Sequence, residues 1–273
     1  PTLYAERVSL FAEAMPFVTI SSNGLRPLPK QGFENVAIAL SVFGGGPLDD
    51  ALRARRPGGQ RFTGLFDTAL SNYRGDPRAT FIYALASDGL AYIEETVRRI
   101  AENGNLVTFN YYSDYGAKAP LRQDAESRLL DEALRVRAAY PQTVICDDYF
   151  IRTLLTGRSH WGEFGYAVCP SISVDHPAHA ERIANGNPVL PGFNAWAADG
   201  KTLNFCCTSG HCDGCRDSQA VYSWLLSSMP HFLSSKEDLT RWLDVAESYW
   251  AQFSWSPYHP VHPVAQSAVC VPA

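Results

Sequence analysis

Apolar residues recur at helical spacing from Tyr4 to Met15, where Val8, Phe11, Ala12 and Met15 share one side, and Pro16 stops the repeat. Phe17 to Ser21 is a β-rich run closed by Ser22-Asn23-Gly24. After a proline-rich connection, Val36-Ala-Ile-Ala-Leu-Ser-Val42 is apolar on both faces. Such a strand belongs inside a parallel sheet, covered on either side. Thr80–Leu85 and Leu106–Asn110 repeat the pattern, and Thr143–Cys146 is a shorter run of the same kind. Helical spacing fills the intervals. A short charged helix is predicted over Asp49–Arg56 and a longer one over Arg61–Tyr73, with Phe62, Leu65, Phe66, Ala69 and Leu70 on one face. Tyr92–Glu102 turns Ile93, Val97 and Ile100 inward and stops at Asn103-Gly104. Gln123–Tyr140 carries Asp124/Arg128 and Asp131/Arg135 four residues apart, a spacing that supports an exposed helix face. Strand and helix therefore alternate over residues 1–146, which predicts an α/β fold of parallel β/α units.

The pattern breaks after residue 157. Residues 158–201 are rich in Gly, Pro, Asn and His and lack a helical period. Such a segment needs an organiser other than a hydrophobic core, and metal is the usual substitute. Helices return at Asp217–Met229, with Val221, Trp224 and Leu225 inward, and at Lys236–Phe253, where Leu239, Trp242, Leu243, Ala246 and Trp250 form a stripe read as core. The expected organisation is a β/α region over 1–157, an irregular extension with C-terminal helices over 158–256, and a loose tail over 257–273.

Composition narrows the function classes. With 46% hydrophobic and 19% charged residues the chain can bury a large core. A net charge of −5 provides no basic field for nucleic acid or an anionic membrane, so the expected partner is a small molecule or a peptide. No long apolar span or leader is legible, and a cytoplasmic location is expected. The chain holds 7 cysteines, an odd number and a low density for a disulfide scaffold. Four of them, Cys206, Cys207, Cys212 and Cys215, crowd into a dozen residues with His211, Gly210 and Gly214. Thiolates on so tight a loop can converge on one metal or iron–sulfur centre, with a disulfide pair or a redox Cys-x-x-Cys as competing readings.

Taken in order, these features resemble the radical S-adenosylmethionine (SAM) enzymes. Pro1-Thr-Leu resembles the sequence that follows a Gly-Gly-Glu-Pro motif. The strand ending Ser22-Asn23-Gly24, the strand carrying Ser41 and the strand ending in Asn110 look like the third to sixth strands of that family's partial (β/α) barrel. Cys169-Pro-Ser, Ala198-Asp-Gly200 and the group Cys207, Cys212 and Cys215 are similar to the SPASM or twitch extensions that hold an auxiliary 4Fe–4S cluster. The family's Cys-x3-Cys-x2-Cys loop has no counterpart in this sequence, so the resemblance implies a barrel lacking its first two β/α units.

What the resemblance implies is specific. Ser22, Asn23, Ser41 and Asn110 would lie near SAM at the barrel mouth, although each is also an ordinary strand-end turn residue. Cys169, Cys207, Cys212 and Cys215 would ligate the auxiliary cluster, with Cys206 the alternate to Cys207, since adjacent residues in an extended segment point opposite ways. Tyr111, Tyr112, Tyr115, Arg158, His160 and Trp161 are candidates for the substrate mouth, and Cys146 and Cys270 for structural or free thiols. An electron donor such as flavodoxin or ferredoxin is implied as partner. The alternative from another class is a structural zinc module on a noncatalytic α/β domain, in which four thiolates hold the metal tetrahedrally.

Overall fold

The computed structural model describes residues 5–15, 18–56, 58–112, 125–156, 218–227 and 229–253. Four strands, β1 (Val18–Ser22), β2 (Val36–Val42), β3 (Ala79–Leu85) and β4 (Leu106–Tyr111), form one sheet in the order β1-β2-β3-β4. All three pairings are parallel, in register Ile20 with Ile38, Leu40 with Phe81, and Tyr83 with Phe109. The doubly apolar reading of β2 holds, since every residue except Ser41 is buried.

The helices are α1 (Ala5–Ala14), α2 (Gly46–Arg53), α3 (Leu65–Asn72), α4 (Ile93–Glu102), α5 (Glu126–Ala139), α6 (Asp148–Thr156), α7 (Ser218–Ser227) and α8 (Lys236–Phe253). Helices α3, α4 and α5 stand side by side. Arg99 of α4 pairs with Asp67 of α3 and covers the Phe66 ring at 5.0 Å, and Arg135 of α5 pairs with Glu94 of α4 at 2.6 Å. The edge-on contact of Phe66 with Phe81 fixes the sheet face they cover. By strand alternation that face carries Ile20, Ile38, Leu40, Phe81, Tyr83, Val107 and Phe109, the bulky part of the core. The opposite face carries Ala37, Ala39, Ser41, Thr80, Ala84, Thr108 and Asn110, smaller and more polar, together with Ile82 and Leu106.

The connection from β1 to β2 has no regular structure and is held by Tyr73, which accepts the Leu28 N–H and donates to the Arg26 carbonyl, and by Arg78. Arg78, 3% exposed, donates to the carbonyls of Leu28, Pro29 and Phe33 at 3.0, 2.8 and 2.9 Å, and pairs with the buried Asp76 at 2.7 Å. Burial alone would raise the Asp76 pKa, but the hydrogen bonds and charge of Arg78 hold it below the ordinary carboxylate value.

Four expectations need correction. In α1 Val8 is buried but Phe11, and Met15 just after the helix, are 59% and 51% exposed, so only one residue of the predicted stripe is fully inward. The predicted strand Thr143–Cys146 shrinks to a single parallel bridge of Val144 to Val107. The Cys146 carbonyl is taken by the Arg137 guanidinium at 2.9 Å, and the chain turns into an unexpected helix, α6. Asp147 caps α6 by accepting the Phe150 N–H at 2.9 Å, and Phe150, Ile151, Leu154 and Leu155 are its buried face. In α8 the inward side centres on Val245 and Ser248, while Leu243 and Trp250 of the predicted stripe are 45% and 38% exposed.

Helices α7 and α8 bury their apolar residues in the same core as the sheet. Tyr222 of α7 stacks on Phe150 of α6 with ring centroids 3.9 Å apart and meets Tyr249 of α8 edge-on. Val221, Leu225 and Val245 join that cluster, and Ser248 donates to the Ile145 carbonyl at 2.9 Å.

Candidate functional site at the strand ends

Parallel strands present their C-terminal ends together, and ligands of β/α folds collect there. Ser22, Ser41 and Asn110 all occupy such ends, and Asn23 follows β1 directly. They do not all share a face. Ser22 pairs with Leu40, so it belongs to the side covered by helices, and its Oγ accepts the Gly24 N–H at 3.1 Å. Asn23 Oδ1 accepts the Leu25 N–H at 3.2 Å. Both thus serve the turn that ends β1. Ser41 and Asn110 lie on the other, small-residue face. Ser41, Ile82 and Thr108 form one row across β2, β3 and β4, and Asn110 stands one step nearer the strand ends beside Ala84.

The floor of that face is closed by aromatic packing. Thr108 is fully buried beside Tyr222, and below it the Cys146 thiol is enclosed and pushed by burial up to about 12. A thiol so held stays protonated and is a poor metal ligand. Ser41 and Asn110 are half-buried, which leaves the upper part of the face accessible. The Asn110 Oδ1 atom is itself buried and has no hydrogen-bond partner among the described residues. Orphaned buried acceptors are rare in folded proteins because each forfeits its hydration without return.

One wall of the mouth is the glycine loop after β2. Gly44 and Gly45 have φ of 85° and 63°, a left-handed backbone that glycine adopts without strain. The loop is bound from within: Asp49, 1% exposed, accepts the Phe43 and Gly45 N–H groups at 3.0 and 2.9 Å, and Thr96 Oγ1 donates to the Gly44 carbonyl at 3.1 Å. Burial raises the Asp49 pKa above the ordinary carboxylate value, against the opposing pull of Arg53 and the two amides. Arg53 Nη1 pairs with Asp49 at 2.9 Å, reaches the Ser41 carbonyl at 2.6 Å, and its guanidinium covers the Phe43 ring at 5.0 Å. Phe43 in turn meets Tyr112 edge-on at 5.9 Å, so the ends of β2 and β4 are bridged over β3. Tyr111 donates to Glu126 Oε1 at 3.0 Å, fixing the start of α5 at the same rim.

The sequence reading did not single out Thr108, Asp49 or Arg53. Thr108 was legible as the residue two before Asn110 on the same strand face, and Asp49/Arg53 as a four-residue pair after the glycine loop. A groove of about 630 Å³ between α4 and α5 is lined by Glu94, Glu95, Arg98, Arg128, Asp131, Glu132 and Arg135. It lies on the outer side of the helices, where Arg98 and Arg135 are already paired with glutamates.

The cysteines Cys169, Cys206, Cys207, Cys212, Cys215 and Cys270, together with His211, Tyr115, Arg158, His160 and Trp161, lie outside the described residues. Among the described residues no group of three or more His, Cys, Asp or Glu side chains is arranged to hold a metal ion, and no helix is long and apolar enough to cross a membrane. Comparison of the chain with protein-family models, with curated proteins and with solved structures returns no match.

Proposed function

We propose that the chain is the greater part of a radical SAM enzyme, a partial (β/α) barrel followed by an extension that carries an auxiliary 4Fe–4S cluster. The observation that carries the reading is the sheet itself. Strands in sequential parallel order with helices α3, α4 and α5 side by side on the bulky face support it, while Tyr222 of α7 meets Thr108 on the opposite face. Two further features support it. The outer side of β1 has no strand among the described residues, and Leu10 and Phe11 of α1 and the following Met15 are exposed. The two further β/α units of the family's barrel would pair with that edge.

The residues present fit a nucleoside-bearing ligand at the mouth. Ser41 offers a hydroxyl on the inner face and Asn110 a carboxamide on the same face, while Asn23, whose Oδ1 accepts the Leu25 N–H, follows the end of the neighbouring strand. When bound and reduced through an iron–sulfur cluster, SAM supplies the hydrogen-abstracting chemistry of that family. The chain's own share is to orient the ligand and keep water from it. Asp49 and Arg53 fix the loop after Ser41, Phe43 and Tyr112 wall the mouth, and Tyr222 with Thr108 closes its floor. The cluster ligands in this reading are Cys169, Cys207, Cys212 and Cys215. The substrate class stays open between a small molecule and a peptide.

Saturation-transfer NMR with SAM on the anaerobic protein tests the reading, since it reports weak complexes. Binding by the wild type that weakens several-fold in Ser41→Val supports a SAM-binding mouth. Absence of binding after iron–sulfur reconstitution contradicts it.

A further inference from the structure

We propose that the arginine-bearing hairpin between α2 and α3 is a docking site for an acidic peptide segment, held by the guanidinium groups of Arg55 and Arg61 with Arg56 adding to their field. These residues have no task in the mouth, so the site stands independently of the radical SAM reading.

Backbone bonds define the hairpin. The Arg56 N–H donates to the Gln60 carbonyl at 2.9 Å and the Phe62 N–H to the Ala54 carbonyl at 3.0 Å, on either side of an antiparallel bridge of Arg55 to Arg61. That pattern makes Arg55 and Arg61 a non-hydrogen-bonded pair, the kind in which facing side chains come closest, on one side of the ribbon. Arg56, one step along, belongs to the other side. All three side chains are exposed.

Like charges directly opposite one another destabilise a ribbon, and no described side chain offsets this pair. Residues 54–63 include three arginines and no Asp or Glu. The nearest acids are committed elsewhere: Asp49 to Arg53 and the glycine loop, Asp50 to the N–H groups of Gly64 and Leu65 at 2.8 and 3.0 Å, and Asp67 to Arg99. Arg61 spends one N–H on the Ala51 carbonyl at 2.9 Å, and among the described residues the Arg55 and Arg56 side chains have no ion-pair or hydrogen-bond partner. The base that carries them is fixed. Ala54 is fully buried, Arg53 beside it donates to the Ser41 carbonyl at 2.6 Å, and Asp50 clips the start of α3 to α2. The positive charge is thus presented from a preorganised support at the strand-end side of the sheet.

Exposure decides the occupant. A single exposed ion pair is worth little against water, so one small anion is poorly retained, whereas a segment carrying several carboxylates engages both guanidinium groups at once. A nucleic acid also repeats its charge, but it needs a broad basic surface, and 28 acidic residues against 23 basic ones oppose it. A short acidic peptide needs only this patch.

The test is an amide NMR titration of the whole protein with hexaglutamate, compared with hexaglutamine, inorganic phosphate and hexathymidylate. Hexaglutamate should shift the Arg55, Arg56 and Arg61 amides saturably, and hexaglutamine should not. The double variant Arg55→Gln/Arg61→Gln should weaken hexaglutamate about tenfold, the combined worth of two exposed ion pairs, and Arg56→Gln about twofold. Salt that brings the Debye length below about 10 Å should weaken binding several-fold. A further readout needs no ligand: Arg55→Gln relieves a like-charge pair, so it should melt at or above the wild-type temperature. No shift with hexaglutamate, equal binding by wild type and the double variant, or an Arg55→Gln protein that melts several degrees lower overturns the assignment. Phosphate or hexathymidylate shifting the same amides at lower concentration than hexaglutamate overturns the acidic peptide as occupant. None of these outcomes touches SAM binding at Ser41.

Discussion

Asp147 offers the sharpest quantitative test of how the C-terminal helices are seated. Its carboxylate caps α6, lies within 3.5 Å of Ser248 on α8, and is pushed by burial, and by the charge of Asp244, from 3.8 up to about 6 despite the opposing Phe150 amide. The groups facing it are the neighbouring Cys146 thiol, Tyr222 of α7, and Asp244 and Ser248 of α8. A folded-state pKa above the unfolded value means that the folded protein binds the proton more tightly. The stabilising contribution is then full below the unfolded carboxylate range near pH 4 and is lost as pH rises through about 6. A displacement of about two pH units corresponds to about 3 kcal/mol at the upper limit. Asparagine caps a helix as well as aspartate does, so Asp147→Asn keeps the cap and removes the titration. Urea unfolding at a series of pH values should therefore show Asp147→Asn gaining on the wild type by about 2–3 kcal/mol between pH 4 and pH 7.5, most steeply near pH 5, midway between the two pKa values. A difference that is flat across that interval, or that falls with pH, refutes the buried-carboxylate argument.

Arg78→Met should destabilise the protein by about 3–5 kcal/mol, because Asp76 stays buried without its partner and three carbonyls lose their donor; a cost below 1 kcal/mol in urea unfolding would show that the clamp is dispensable. Gly45→Ala places a Cβ 2.6 Å from Thr96 Oγ1 at φ of 63°, so it should cost about 1–2 kcal/mol from backbone strain alone and weaken ligand binding at the mouth; an unchanged melting temperature would sink this. Phe150→Ala removes the ring stacked on Tyr222 and should cost about 3–5 kcal/mol in a single cooperative transition that takes α7 and α8 with the sheet; hydrogen exchange in which those helices open separately while the sheet stays closed would contradict the shared core.

How much of this was legible depended on whether a residue's neighbours were near in sequence. The strands were, since β2 is apolar over its whole length and the sheet buries it on both faces. Register was not, and it is register that divides the candidate residues, sending Ser22 to the helix side and Ser41 and Asn110 to the other. A one-residue step along a strand changes the face, and nothing local announces which face a terminal serine will take. The inward side of α8 was misjudged for a related reason. Its apolar stripe is broad enough for several rotations, and the seat is chosen by Ser248 meeting the Ile145 carbonyl and by Tyr249 meeting Tyr222, contacts about a hundred residues or less apart that spacing cannot reveal. Helix α6 could have been read from Asp147 before Phe150-Ile151 and Leu154-Leu155, but the apolar run Thr143–Cys146 drew attention to a strand.

The central claim is a radical SAM barrel followed by an auxiliary iron–sulfur extension. It is tested most directly by iron and acid-labile sulfide analysis, with the visible spectrum, after anaerobic reconstitution of the wild type and of the Cys212→Ala and Cys215→Ala variants. The account predicts a brown protein with about four irons and four sulfides per chain, lost in both variants while the sheet stays folded. Stoichiometric zinc without sulfide, or iron and sulfide retained in both variants, would contradict it.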